Sequence, residues 1–499
     1  KPFFQGVTIQ SKLTRSYPYD ELFAHVIGYV GRINDKETKR IDKDRYAGTD
    51  LIGKIGIEDY YEDILLGEPG YQSVETDAHG NIIRQLETKP PIAGNDITLS
   101  LDYGLQKIAQ EQLDGRRGAI VAIDPQNGDV LAFVSNPSYD PNPFISGISF
   151  KDYGALRDDI DQPLYNRALQ GMYPPASTIK PFAGLGGIHY GLRDWETTIY
   201  DPGYFSLPGD SHRFRDWKRG GHGTVDLKKS IMMSVDTYYY KLAYEMGIQR
   251  LHDWMVRFGF GERTGIDLPN EKSGIMPSPK WKKDRYDKDW LPGETISVSI
   301  GQGYFLATPL QVTNATAMTA NKGNHITPHL LKSSEGAAPV KVISKPDGKI
   351  DYNGQPSDWL RMHDAMEDTV KRGTARRIYT KDYRIAGKTG TAQVKSIAQG
   401  KSYDKSALDK RHWDHAWFTG FAPVENPTIA LAVLVENGGG GSTVAAPIGR
   451  ELFDYWVVQR DKDPIMPPTP DQLKIIKRHK ALEKARLDAI REAEAKAAA

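Results

Sequence analysis

The chain has 499 residues, of which 39% are hydrophobic and 10% aromatic, with a net charge of +1 and no cysteine. That length supports more than one domain and a large core, and the balanced charge gives no electrostatic case for a nucleic-acid partner. Disulfides, thiolate catalysis and cysteine-based metal sites are excluded, and no run of about 18 apolar residues is present to cross a bilayer.

Residues 1–95 are rich in glycine, charge and short β-like runs. The stretch AHVIGYV (24–30) reads as a strand, and residues 54–58 lead into a helix through Tyr60 and Tyr61. Residues 72–77 alternate toward a turn at His79-Gly80, with 82–86 as the hairpin partner. No catalytic constellation falls here. Lys89-Pro90-Pro91 reads as the exit linker of a small β-rich module.

A second unit, 96–460, opens with an alternating strand at 96–101 and a helix at 103–113. A hairpin follows, 119–123 and 130–134, turning at Asn127-Gly128. Both arms are apolar, which predicts a central position in a covered sheet. Tyr173-Pro174-Pro175 then makes a rigid approach that is not helix interior, and it leads to Ser177-Thr178-Ile179-Lys180. Ser177 and Lys180 share a face on one helical turn, at or near a helix N-terminus. Two readings stand: a cap beside a solvated lysine, or a nucleophile whose proton a neutral lysine accepts. The same pattern recurs at Ser402-Tyr403-Asp404-Lys405 in a polar loop, so the tetrad alone does not decide.

Further along, 225–246 reads as a helix carrying Ser234-Val235-Asp236, followed by a short helix at 251–258, a strand at 296–300 and a helix at 310–320. Residues 384–394 read as a strand bearing Lys388-Thr389-Gly390-Thr391, and 395–414 as a charged loop. Residues 416–422 and 428–435 read as two antiparallel strands, 438–441 as a flexible loop and 446–458 as the last packed helix. The tail, 461–499, is a charged helical pattern with a thin apolar stripe and no chemistry. Helices set between two groups of strands argue for an α+β arrangement.

Ser177-x-x-Lys180, Ser234-x-Asp236 and Lys388-Thr389-Gly390, in that order, form the signature set of penicillin-recognising acyltransferases. Each piece has a chemical use. Ser177 would attack a carbonyl, with Lys180 as base if burial and a second cation, Lys388, depress its pKa. Ser234 offers a hydroxyl between the two lysines that can relay a proton to a leaving amine. Asp236 would hold Lys180 or bind the substrate's amide. Lys388, Thr389 and Thr391 would bind a carboxylate. Gly390 would leave the strand edge open to substrate. The backbone N–H groups of Ser177 and Thr391 would form the oxyanion hole. This arrangement requires Ser177 Oγ within hydrogen-bond reach of Lys180 Nζ, facing residues 388–391.

On these motifs, with DPGYFSLPG (201–209), RDWKRGGHG (215–223), SIGQGYFLATPLQ (299–311), FAPVENP (421–427), VIGYVGRIND (26–35) and GKIGIEDYYEDILLG (53–67), the chain resembles the class B penicillin-binding proteins of the Gram-negative rod-elongation branch. The resemblance covers about residues 1–460. It implies a penicillin-recognising transpeptidase domain, with helices around a central antiparallel sheet, on an N-terminal β-rich pedestal. It also implies a periplasmic location behind one N-terminal membrane helix. The implied activity is D,D-transpeptidation, from stem peptides ending in D-Ala-D-Ala to a neighbouring stem peptide's amine, with β-lactams acylating Ser177. The implied partners are a membrane glycan polymerase of the shape, elongation and division type and the elongation-complex scaffold proteins. The second motif departs from the family's usual Asn by carrying Asp236, which the elongation branch tolerates.

No cofactor is expected. Asp201, Asp216 and His222 are the candidates for a Zn²⁺ site, but the position that a cysteine fills in similar proteins is Val235. Salt bridges to Arg213, Arg215 or Lys218 are the expected state of these acids. His412 and His415 are not expected to be ligands. Three alternatives remain to the transpeptidase: a β-lactamase, a carboxypeptidase, and a non-catalytic β-lactam sensor or scaffold.

Overall fold

The computed structural model describes residues 14–338, 340, 346–395 and 408–497. The Ser402/Lys405 tetrad and most of the charged loop lie outside the described residues.

A five-stranded antiparallel sheet orders the strands Ala386–Ala392, His415–Ala422, Ile429–Val435, Gly118–Ile123 and Val130–Asn136. Its inner strands Gly118–Ile123 and Ile429–Val435 are apolar along their whole length because both faces are covered. Ile120, Ala122, Phe418 and Val433 pack into one core with the helices Tyr103–Gln112 and Ala445–Asp454. Val121, Ala432, Leu434 and Trp417 pack into a larger core with the helix Pro309–Ala320. That helix is buried on every side. It starts where Thr308 Oγ1 accepts the Gln311 N–H while the Gln311 carboxamide accepts the Thr308 N–H, a reciprocal cap that satisfies two orphan donors.

The Gly118–Ile123/Val130–Asn136 hairpin forms as the sequence predicts, but it is not central: Val130–Asn136 is an edge of the sheet. A side chain stands in for the missing strand. The Gln106 carboxamide donates to Phe133 O at 3.0 Å and accepts from Phe133 N at 2.8 Å, which satisfies backbone groups that would otherwise be buried unpaired.

Three predicted elements differ. Residues 24–30 form a helical turn, Ala24–Ile27, and then a strand, Tyr29–Arg32. Gly28, at φ +74, makes the break, and a Cβ there would lie 1.9 Å from Ile55 O. Residues 296–298 end a helix, Pro292–Val298, and 299–300 form a turn, so no strand forms here. The local alternation is overridden by Pro292 in the first turn and by Glu294 Oε2, which accepts the Leu291 N–H at 2.8 Å. The single helix predicted over 225–246 is a strand end, Gly223–Val225, then Leu227–Met232, then Asp236–Val256, which is broken at Gly247 (φ 75). Ser234, at φ 57, lies between the two helices.

The N-terminal module contacts the second unit through polar bridges. Tyr61 OH donates to Asp267 Oδ2 at 2.8 Å, Gln106 Nε2 to Leu22 O at 2.9 Å and Asn166 Nδ2 to His25 O at 2.9 Å. Its hairpin, Tyr71–Thr76 with Ile82–Lys89, forms as predicted and projects with Ile82, Ile83 and Leu86 exposed. The strand Asp96–Leu99 pairs with Leu331–Glu335. No described helix is long and apolar enough to cross a membrane. The tail is a helix, Pro470–Ala497, pinned where Lys480 Nζ meets Asp20 Oδ2 at 3.0 Å.

His25 gives this junction a pH dependence. Its ring sits edge-on to Tyr139 with centroids 5.3 Å apart, and burial pushes its pKa down from 6.5 to about 4. An unfolded chain takes up this proton near pH 6.5 and the folded chain only near 4. Stability from the neutral ring is therefore complete above pH 6.5 and declines as pH falls toward 4, by at most about 3 kcal/mol. Urea midpoints between pH 7 and 4.5 should fall in the native protein and fall less in His25→Gln.

Candidate active site

Ser177 lies in a 3₁₀ turn, Ala176–Ile179, and the α-helix begins only at Lys180. The turn is clamped from several directions. Trp417 Nε1 donates to Pro174 O at 3.1 Å, and Tyr173 OH donates to Glu436 Oε1 at 2.7 Å. Ala176 N donates to Gly301 O at 2.9 Å, which holds Ala176 at φ 52, a conformation that costs a non-glycine residue free energy unless its surroundings fix it. Gly301 is itself at φ +72, and a Cβ there would lie 2.3 Å from Ala176 O. Gly301→Ala is therefore expected to displace the residue before Ser177. The strain, about 1–3 kcal/mol, should appear as a roughly 10- to 100-fold slower acylation, measured by intact mass against time.

Lys180 begins the helix Lys180–His189 and is fully buried. Its Nζ donates to Asp236 Oδ1 at 2.6 Å, Ser234 O at 2.7 Å and Ser234 Oγ at 3.3 Å. Three acceptors match the three N–H donors of an ammonium. The expected contact is thus replaced: no hydrogen bond joins Lys180 Nζ to Ser177 Oγ among the described residues, because Asp236 and the Ser234 turn draw the ammonium away.

Lys388 projects from the strand Ala386–Ala392, also fully buried. Its Nζ lies 2.7 Å from Ser234 Oγ and 3.0 Å from Thr389 O. Burial, then the charge of Lys180, holds its pKa well below the usual lysine value, with Asp236 opposing. Ser234 Oγ therefore stands between the two lysines, as the sequence predicts. Its left-handed backbone makes this possible by aiming the hydroxyl inward at the break between two helices. Gly390 lies on an outer strand of the sheet, as expected, and a Cβ there would meet Thr178 Cγ2 and Trp417 Cβ, each at 3.1 Å, so its bareness also lets the strand approach the Ser177 turn. The Ser177 N–H makes no hydrogen bond to any described residue.

Two residues outside the three motifs shape this centre. Asp216 Oδ2 accepts the N–H groups of Asp236 at 2.7 Å and Thr237 at 3.1 Å, capping the helix Asp236–Val256. The Trp217 N–H donates to Asp236 Oδ2 at 3.1 Å. A polar loop carries no periodic signal, so sequence reading had no handle on this capping. Burial, then the charge of Asp236, pushes the Asp216 carboxyl up.

Asp201, Asp216 and His222 come together, with their donor atoms all within 4.8 Å of one another. His222 Nδ1 lies 2.8 Å from Asp201 Oδ2 and 3.5 Å from Asp216 Oδ1. Burial pushes Asp201 up, but hydrogen bonds from Gly203 N, the His222 side chain and His222 N outweigh it and leave the carboxyl acidified. Among the described residues neither Arg213 nor the Lys218 side chain pairs with these acids. Arg213 lies over the Tyr204 ring at 4.4 Å instead, and Lys218 contributes its backbone N–H to Asp216 at 3.0 Å. Two carboxylates and an imidazole whose Nε2 has no partner fit a three-ligand Zn²⁺ site. Val235, fully buried, offers no fourth ligand. His415 Nδ1 accepts the Asn437 N–H at 3.0 Å. His412 ends a 3₁₀ turn, Lys410–His412, and is not one of the clustered residues.

A half-buried serine, Ser177, set beside buried Lys180, Ser234 and Lys388 at the edge of a five-stranded antiparallel sheet, defines the penicillin-recognising serine transpeptidase class. Residues 118–454 match the penicillin-binding protein transpeptidase domain, and residues 2–99 match the penicillin-binding protein dimerisation domain. The chain is 61% identical to the peptidoglycan D,D-transpeptidase MrdA of Acinetobacter baumannii, over 93% of this chain and 69% of that protein. The crystal structure of Pseudomonas aeruginosa PBP2 in complex with WCK 5153 superposes with a TM-score of 0.81 at 46% identity, covering 93% of this chain and 95% of that one. A complex of PBP2 with MreC from Helicobacter pylori matches with a TM-score of 0.79 at 36% identity, covering 89% and 79%. The chain belongs to the penicillin-binding protein transpeptidase family.

Proposed function

We infer that this protein is a peptidoglycan D,D-transpeptidase that cross-links stem peptides through an acyl-enzyme on Ser177 during cell elongation. The observation that carries the mechanism is Ser234 Oγ, placed 3.3 Å from Lys180 Nζ and 2.7 Å from Lys388 Nζ. With Lys180 bonded as an ammonium and Lys388 depressed by burial, Ser234 can pass a proton from the first lysine to the second. Lys180, then neutral, takes the proton of Ser177 Oγ as that oxygen attacks the penultimate D-Ala carbonyl. The proton moves through Ser234 to the departing D-alanine amine. Thr389 and Thr391 hold the terminal carboxylate, in front of the charge that Lys388 has gained. The Ser177 and Thr391 N–H groups receive the oxyanion. The acceptor amine of a second stem peptide then attacks the ester and frees Ser177.

The domain works in the periplasm behind a membrane anchor. The pedestal hairpin, with Ile82, Ile83 and Leu86 more than half exposed, faces a membrane glycan polymerase or an elongation scaffold protein; the H. pylori relative was solved with MreC. Asp201, Asp216 and His222 would hold Zn²⁺, whose charge would offset two buried carboxylates and stabilise the loop that caps the second motif. The experiment that separates transfer from hydrolysis supplies a D-Ala-D-Ala peptide with a D-amino acid acceptor. A transpeptidase yields exchanged peptide in preference to hydrolysed peptide, whereas hydrolysis alone would overturn this reading.

A further inference from the structure

Thr389 and Thr391 are two apart on a strand, so their side chains share a face. A third hydroxyl arrives there from outside the three motifs. Thr374 follows the helix Ser357–Lys371, and its Oγ1 lies 2.7 Å from Thr389 Oγ1. Its backbone is fixed on both sides: Thr374 N donates to Met232 O at 3.2 Å, and Thr374 O accepts from Ser442 Oγ at 2.6 Å. Gly373 makes that approach possible, because a Cβ on it would lie 2.2 Å from Met232 O. Thr374 is therefore tied to the second-motif turn through Met232, to the third motif through Thr389 and to the glycine-rich loop through Ser442.

In a hydroxyl pair only one oxygen donates along the contact. Whichever does, the other keeps its O–H free, on the face where Thr391 is exposed and Lys388 lies behind. A carboxylate is acceptor-only and takes several donors. We propose that Thr374 is a specificity-determining residue, supplying with Thr389 and Thr391 the hydroxyl set that selects donors with a free C-terminal carboxylate. The proposal rests on the transpeptidase reading above.

The test compares acylation rates by intact mass for benzylpenicillin and its methyl ester, which lacks the carboxylate. Thr374→Val should acylate roughly tenfold more slowly with the acid and at an unchanged rate with the ester, and Thr374→Ser should restore the native acid-to-ester ratio. Equal losses on both compounds would show that Thr374 only braces the fold and would overturn the proposal; so would an unchanged rate with the acid. If Thr374→Val melts far below the native protein, Thr374→Ala carries the same comparison. Failure of the native protein to be acylated at Ser177 would overturn the transpeptidase reading itself, whereas acylation with an unaltered ratio would overturn only the role of Thr374.

Discussion

Lys180→Ala should abolish measurable acylation of Ser177, a loss of about 10³-fold or more. The change removes the amine three residues from Ser177, at the start of the helix that follows it. It also leaves Asp236, buried and paired with Lys180 at 2.6 Å, without its cation, and breaking a buried pair from one side is strongly destabilising. Folding must therefore be measured alongside rate. Lys180→Ala combined with Asp236→Ala removes both charges, so it should recover melting temperature without recovering acylation. Recovery of acylation in the double variant would show that Lys180 acts only as the partner of Asp236.

Lys388→Met is the second large effect. Methionine fills much of the same fully buried space but removes the donor 2.7 Å from Ser234 Oγ and the charge behind the threonines. A charge-assisted hydrogen bond is worth about 1.5–3 kcal/mol, so acylation by a carboxylate-bearing β-lactam should slow roughly 10- to 100-fold. The pH profile should also change. Lys388 has its pKa lowered by burial, so its neutral form persists in the folded state at pH values where an unfolded lysine is charged. Stability linked to this group rises with pH between the depressed folded value and the ordinary lysine range, and Lys388→Met should remove that rise. Acylation by Lys388→Met at the native rate would refute its part in the proton path.

The strands Ile429–Val435 and His415–Ala422 were readable because they are long, apolar and separated by a proline-bounded turn. The three motifs were readable because their chemistry demands particular side chains in order. What stayed hidden is where the backbone leaves its local preference. Ser234 sits in a left-handed break that a helical period disguises, and Ala176 is left-handed only because Gly301, far along the chain, holds it. Residues 296–300 alternate like a strand, yet the cap at Leu291 and Glu294 starts a helix that runs through Val298. The Lys180–Asp236 ion pair was one of two readings left open for Asp236. Geometry supports that one, since spacing along a chain does not say which of several acceptors a buried ammonium will meet.

The central claim is that Ser177 is the nucleophile, although in the resting protein no hydrogen bond joins it to Lys180. The most direct measurement is tryptic mass mapping after brief exposure of the native protein to labelled penicillin. A single adduct on the peptide containing Ser177, absent from Ser177→Ala and released slowly, is the predicted result. No adduct on the folded native protein, an adduct on another residue, or labelling that persists in Ser177→Ala would contradict it.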